Sequence, residues 1–153
     1  MERVLGKCAP YLYVILRVVT GLLFACHGAQ KLFGVLGGVG GQAGATVPVL
    51  SLMGLAGVIE FCGGLLIALG ILTSYAAFIG SGEMAFAYFT RHFPGGFWPI
   101  QNGGELAVLY CFLLLYIAAN GTMIWGWGSS RNSSGLSHEE RAIHVTPRGR
   151  EQE

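Results

Sequence analysis

Few residues in this 153-residue sequence are able to do chemistry, and long apolar runs separate them. Between positions 11 and 128 there are three basic residues, three glutamates and two histidines. If the apolar runs cross a membrane, an isolated charge near the bilayer centre costs at least about 2.5–3.5 kcal/mol, so such residues normally point into a helix bundle and pair or serve a function. The predicted intramembrane polar cluster contains Arg17, His27, Lys31, Glu60, Glu83, His92 and Glu105.

Three members of this cluster, His27, Glu60 and His92, favour a functional interpretation. A side chain that gains or loses a proton is costly to keep inside lipid only as a packing group. A buried carboxyl group near an imidazole relays protons to a small redox ligand such as a quinone. For Arg17, Glu83 and Glu105, ion pairs that hold a helix bundle together are an equally good explanation. The equal numbers of basic residues and glutamates indicate that they form ion pairs, but they do not show which residue pairs with which.

Aromatic residues offer candidate walls for a quinone pocket, although such residues more commonly pack or lie at a membrane interface. A haem held by His27 and His92 is an alternative, which the position of His92 beside a Pro-Gly loop disfavours. No metal site is predicted, because the four cysteines are scattered one per apolar stretch without close pairs. The candidate walls are Tyr88, Phe97, Trp98 and Tyr110.

Composition places the chain in the membrane class. It has 53% hydrophobic and 11% charged residues, whereas soluble domains carry about 25% charged residues. The formal net charge of +1 argues against a nucleic-acid partner, which needs a basic face. A nucleophilic triad is not visible either, because the sequence has no Asp and its apolar region has no serine beside a histidine.

Four apolar segments must position these residues, and each is predicted to be a transmembrane helix. They lie at about 11–33, 47–72, 75–90 and 104–125, and about 20 helical residues cross a bilayer. They form a four-helix transmembrane domain at 11–128, an all-α antiparallel bundle. Residues 1–10 are predicted to be a cytoplasmic N-terminus and 129–153 a disordered cytoplasmic tail. A cleaved signal peptide is the alternative for the first segment, but Arg17 inside the run counts against it.

Two further patterns orient these helices. Gly21 and Gly28 in the first segment, like Gly57 and Gly64 in the second, are seven residues apart, so each pair lies near one face and predicts close packing of these two helices. Lysine and arginine residues concentrate before the first segment and after the fourth, which places both termini in the cytoplasm by the positive-inside rule. The glycine-rich loop at 34–46 and the polar link at 91–105 then face outward from the inner membrane. The link is predicted to be a lid over the polar cluster.

An ordered series of motifs runs along the chain: Arg17, His27-Gly28-Ala29-Gln30-Lys31-Leu32-Phe33-Gly34, Glu60-Phe61-Cys62-Gly63-Gly64, Gly70, His92 and Asn102-Gly103-Gly104-Glu105. Over about residues 11–128 this series resembles the DoxX family of small four-helix membrane proteins, named after a subunit of a thiosulfate:quinone oxidoreductase. The fourth segment departs from the family. It ends in Gly126-Trp127-Gly128-Ser129, where such proteins often have a glycine pair followed by Ser-Leu-Asp.

The resemblance implies a multi-pass inner-membrane protein associated with redox processes. Together with the polar cluster, it predicts a small subunit of a quinone-linked redox system that contacts the lipid bilayer and a protein partner. The alternative is a non-catalytic scaffold or transporter-like membrane protein whose buried charges are structural. The sequence leaves the electron donor, the oligomeric state and any catalytic activity open.

Overall fold

The computed structural model describes residues 2–123, and every regular element in that range is helical. The prediction of an all-α chain is therefore confirmed for the described part. Two 3₁₀ turns lie at Val39–Gly41 and Phe93–Gly95, and a π-helical turn lies at Tyr88–His92. The predicted tail at 129–153 and the last residues of the fourth predicted helix lie outside the described residues. The α-helices are α1 (Glu2–Phe33), α2 (Leu52–Leu69), α3 (Thr73–Ala87), α4 (Pro99–Asn102) and α5 (Glu105–Asn120).

Local signals set where the helices begin and end. Helix α1 starts at Glu2 and continues through Pro10, where the proline removes a single hydrogen bond, the one to the Gly6 carbonyl. Helix α2 begins at Leu52, after the predicted position, because the Ser51 side chain caps it by accepting a hydrogen bond from the Gly54 amide at 3.0 Å. It ends before Gly70, whose left-handed conformation (φ 75°) stops the helix.

Helices α1 and α2 pack against each other in antiparallel orientation along a line of glycines. A Cβ atom added to Gly21 would lie 2.6 Å from the Gly64 carbonyl oxygen, and one added to Gly64 would lie 2.5 Å from the Ala25 amide nitrogen. Further along, Gly28 meets the backbone of Gly57. The prediction that these glycines bring the two helices together is confirmed, and backbone contact leaves no room for side chains there.

Helix α5 completes the core by packing against α1 and α3. Ser81 on α3 donates a hydrogen bond to the Cys111 carbonyl on α5 at 2.8 Å. Tyr13 on α1 contacts the carbonyl oxygens of Ile117 and Gly121 with its hydroxyl, at 3.2 Å and 2.6 Å. These contacts tie the middle and the C-terminal end of α5 to its neighbours. The side chains with no exposed surface in the core are Phe24, Ile67, Ala77, Leu114 and Ile117.

The Tyr13 hydroxyl gives a first testable prediction. Tyr13→Phe should lower the free energy of unfolding by about 1–2 kcal/mol, because the carbonyl groups of Ile117 and Gly121 at the end of α5 lose a buried hydroxyl donor. Denaturant titration of the purified protein in detergent, followed by circular dichroism, measures this change. Tyr11→Phe is the matched control, since Tyr11 lies on the same helix and is exposed. Equal losses in the two variants would contradict the prediction.

The outer surface of this helical assembly is apolar. Large hydrophobic side chains such as Leu55, Phe78 and Phe112 are more than half exposed, and extensive exposed apolar surface marks a membrane or partner contact. By length and composition, two helical stretches in the described part are able to cross a membrane, Leu5–Phe33 and Leu52–Leu69. Helix α5 is apolar but shorter, at 16 residues.

Candidate functional site

An ion pair between α1 and α2 forms one wall of the site. The Lys31 ammonium lies 2.6 Å from Glu60 Oε1, and the Glu60 side chain is only 3% exposed, against 20% for Lys31. Gly57, one helical turn before Glu60, makes room for the lysine, since an added Cβ would lie 3.1 Å from Lys31 Cβ. Glu60 Oε2 is buried and accepts no hydrogen bond from the residues that the structure describes. One oxygen of a buried carboxyl group is thus left available.

A cavity of about 540 Å³ lies beside this ion pair, and we call it the histidine cavity. Its volume falls within the range of small-molecule sites, roughly 300–1,000 Å³. Its lysine, arginine, glutamate and histidine wall residues come from three separate parts of the chain: the end of α1, the middle of α2 and the link after α3. They are His27, Lys31, Glu60, Arg91 and His92. The other wall residues are Phe24, Met53, Met84, Ala87, Gly103, Leu106, Ala107 and Tyr110.

The two histidines are held by different kinds of contact. His27 packs its ring at 89° to the ring of Tyr110, with the centroids 5.9 Å apart. His92 Nδ1 lies 3.2 Å from the Asn102 carbonyl oxygen, so the tautomer that makes this hydrogen bond carries its proton on Nδ1. Its ring also stacks on Tyr88. In that tautomer Nε2 is left as an acceptor.

Asn102 organises the polar link at 91–105. Its side-chain amide donates to the Gly96 carbonyl at 2.7 Å, and its side-chain oxygen accepts from the Gly104 amide at 2.7 Å. Gly104 has no room for a side chain, since an added Cβ would lie 2.8 Å from both Tyr88 and His92. These contacts fold the link back over the end of the bundle, where Arg91, His92 and Gly103 reach the histidine cavity.

Three residues of the predicted polar cluster lie elsewhere. Glu83 lines a second cavity of about 520 Å³, the α2–α3 cavity, which adjoins the first. Arg17 is 2% exposed and lies ten residues before His27, about 15 Å along α1. Glu105 is exposed in the first turn of α5. Neither Arg17 nor Glu105 lines these two cavities.

The predicted aromatic walls are divided between two sites. Tyr110 lies in the histidine cavity, whereas Tyr88, Phe97 and Trp98 line a separate apolar cavity of about 430 Å³. The Tyr88 hydroxyl donates to the Phe97 carbonyl at 2.7 Å and fixes that wall. The predicted site residues omit Arg91, which lines the histidine cavity. Its position beside His92, in a region with three basic residues, was an available signal.

The histidine cavity suits a small ligand that has both polar atoms and an apolar surface. Lys31 and Arg91 are hydrogen-bond donors, Glu60 Oε2 is a free acceptor, and the two imidazoles serve in either role. Phe24 and Tyr110, whose ring centroids lie 5.5 Å apart, supply an apolar wall. Within residues 2–123, no group of three or more His, Cys, Asp or Glu side chains is placed to hold a metal ion.

Comparison with protein-family profiles identifies the family of this chain. The DoxX family profile matches residues 12–93. An uncharacterized protein of Haemophilus influenzae is 44% identical over 121 residues, which cover 76% of this chain and 88% of that protein. No solved structure matches the chain. The family match spans more than half of the sequence and includes α1 from residue 12 onward, all of α2 and α3, and the ion pair between Lys31 and Glu60, so this chain belongs to the DoxX family.

Proposed function

We propose that this chain is a four-span inner-membrane protein that binds a quinone headgroup in the histidine cavity and serves as a small subunit of a membrane redox system. The DoxX family is membrane-associated, and two helices of the described part are long and apolar enough to cross a bilayer. The proposed orientation has both termini in the cytoplasm. The loops after the first and third spans, and with them the mouth of the histidine cavity, then face outward.

The third and fourth spans of this proposal rest on shorter helices. The 15 residues of α3 continue directly into the 5 residues of the π-helical turn, giving 20 helical residues. That length is about 30 Å, the thickness of a hydrocarbon core. Helix α5 runs antiparallel to this segment, because Ser81 meets Cys111 at one level and Gly104 meets Tyr88 at another. Its 16 residues reach about 24 Å, which modest local thinning of the bilayer accommodates.

The observation that carries the proposal is the buried Glu60 oxygen that has no partner among the described residues, beside a cavity with two histidines. A bound quinone supplies two-electron chemistry, taking its electrons from a partner protein and one proton at each carbonyl oxygen. Lys31 and Arg91 are placed to donate hydrogen bonds to such oxygens. Glu60 Oε2 has no partner among the described residues and is able to accept or release a proton there. The His27 imidazole is a second group at the cavity wall that donates or accepts a hydrogen bond.

Quantifying co-purified quinone by mass spectrometry tests the proposal. Wild-type protein purified in a mild detergent should retain quinone at close to one molecule per chain. His27→Ala should retain about tenfold less, because one hydrogen bond to a polar ligand atom is lost. Cys26→Ala is the matched control, since Cys26 is the preceding residue on α1 and is exposed. A well-folded wild-type preparation without quinone would overturn the proposal.

A second candidate function is a non-catalytic scaffold or transporter-like protein, and the contact between Lys31 and Glu60 favours it. The 2.6 Å ion pair joins two helices. Inside a lipid bilayer, hydrophobic burial does not drive helix association, so polar contacts of this kind stabilise the packing of helices. In that case the pair holds α1 to α2, and the charges need no ligand. The two candidate functions predict different quinone contents for a variant in which Lys31 and Glu60 are both replaced.

A further inference from the structure

The histidine cavity is not closed on all sides, because it adjoins the α2–α3 cavity. The two share four wall residues: Lys31, Met53, Ala87 and Arg91. Among these, Met53 is a flexible thioether that repacks easily, and Ala87 has no side chain beyond its methyl group. We call the boundary between the two cavities the threshold. It is adaptable at Met53 and Ala87, because neither side chain blocks it rigidly.

Two helix faces form the walls of the α2–α3 cavity. On α2 the wall residues recur over 52–59, and on α3 and the π-helical turn that follows it they recur over 79–90, each at helical spacing. These stretches extend about 10 Å along α2 and about 16 Å along α3 and the turn. The apolar wall residues Leu52, Leu55, Ile79 and Phe86 are more than half exposed, so the cavity opens at the outer surface between the two helices. In the proposed four-span arrangement that surface faces lipid.

The polar wall residues of the α2–α3 cavity group near the threshold. Glu83 lies one helical turn before Ala87 and Arg91 one turn after it, while Lys31 belongs to both cavities. Glu83 is within electrostatic range of both Glu60 and Lys31, and its Oε2 atom is buried. A ligand that spans both cavities therefore meets polar groups at the threshold and apolar groups toward the opening. This is the polarity of an amphiphile with a compact head and a hydrocarbon tail.

We infer that the ligand of the histidine cavity carries a hydrocarbon tail that lies in the α2–α3 cavity and leaves the protein sideways between α2 and α3. The inference rests on the proposed function for the headgroup and adds the ligand class, a tailed quinone, and its route of entry. Met53 and Ala87 form the threshold that the tail crosses. Ala56 and Ile79 belong to the α2–α3 cavity alone and determine whether the tail fits.

Native mass spectrometry of the purified protein with two quinones tests the inference. One is a dimethoxy-methyl benzoquinone without a tail, and the other has the same headgroup with a decyl chain. Wild type should bind the decyl compound about tenfold more tightly than the tailless one. Ala56→Phe, which fills the α2–α3 cavity, should remove most of this difference and leave binding of the tailless compound unchanged. Cys62→Phe is the control, because Cys62 is exposed on α2 and lies outside the cavity walls.

The outcomes separate this inference from the proposed function. If neither quinone binds folded wild type, the proposed function fails. If the tailless compound binds and Ala56→Phe leaves the advantage of the decyl chain intact, the tail lies elsewhere and the inference is overturned. Retention of a phospholipid that only Ala56→Phe displaces would also overturn it, since the occupant is then a lipid. Should Ala56→Phe fail to fold, Ile79→Trp blocks the same cavity from α3 and gives the same comparison.

Discussion

Gly64→Ala is expected to destabilise the protein by about 1–3 kcal/mol or more, whereas Gly63→Ala, one residue earlier, should not destabilise it. A Cβ on Gly64 would lie 2.5 Å from the Ala25 amide nitrogen and from the Gly21 carbonyl oxygen. Both are backbone atoms, so relief requires the two helices to move apart, which is the overpacking cost of a tight core. At Gly63 the nearest atom, the Ala76 carbonyl oxygen, is 4.0 Å from an added Cβ. Alanine also favours the helix there by roughly 1 kcal/mol over glycine.

The midpoint of denaturant-induced unfolding in detergent, compared between the two variants, measures this difference. Equal midpoints would show that close backbone approach between α1 and α2 is not needed for stability. The effect should also reach the site, because Gly64 lies one helical turn after Glu60 on the same helix. Separation of α1 from α2 at this level lengthens the contact between Lys31 and Glu60. Gly64→Ala is therefore expected to reduce co-purified quinone as well, whereas Gly63→Ala retains it.

Helical periodicity predicted much of this arrangement from the sequence. Glycines seven residues apart identified the faces where α1 and α2 meet. The apolar runs predicted that the regular elements of the described part are helical. The polar link placed His92 near the C-terminal end of α1, where His27 and Lys31 lie. Four members of the predicted polar cluster, His27, Lys31, Glu60 and His92, do line one cavity.

Periodicity gives the direction in which a side chain points, but it does not give height within the bundle. Arg17 and Lys31 are 14 residues apart and share a face of α1, yet about 21 Å of helix separates them. Arg17 is therefore buried at a different level from the ion pair. Glu105 shows the same limit, because the first turn of a helix leaves a side chain free to point outward, and here it is exposed.

The divided aromatic walls have another cause, the π-helical turn at Tyr88–His92. Such a turn inserts residues beyond the 3.6-residue repeat and changes the face presented by everything that follows. The sequence contains no repeat that predicts this π-helical turn. Tyr88, at the start of the turn, lines a separate cavity with Phe97 and Trp98, while Arg91 and His92, near its end, line the histidine cavity.

Replacing Lys31 and Glu60 singly and together should give a strongly non-additive result. Lys31→Met leaves the Glu60 carboxyl group, 3% exposed, without its partner, and should cost about 3–5 kcal/mol. Glu60→Met should cost less, because Lys31 is 20% exposed and its long side chain is able to carry its charge toward water. The double variant should be close to wild type in stability, since replacing both partners of a buried ion pair is often near neutral. Lys7→Met, at an exposed position of α1, is the control for loss of a lysine alone.

The double variant also decides between the two candidate functions, provided that stability and quinone content are measured on the same preparations. If the pair only joins α1 to α2, the stable double variant keeps every property of wild type, including any bound quinone. If Glu60 Oε2 and Lys31 contact the headgroup, the double variant folds but loses quinone about as completely as His27→Ala. A folded double variant with wild-type quinone content would contradict the headgroup assignment. An additive loss of stability would contradict the ion pair itself, because independent sites add and contacting partners do not.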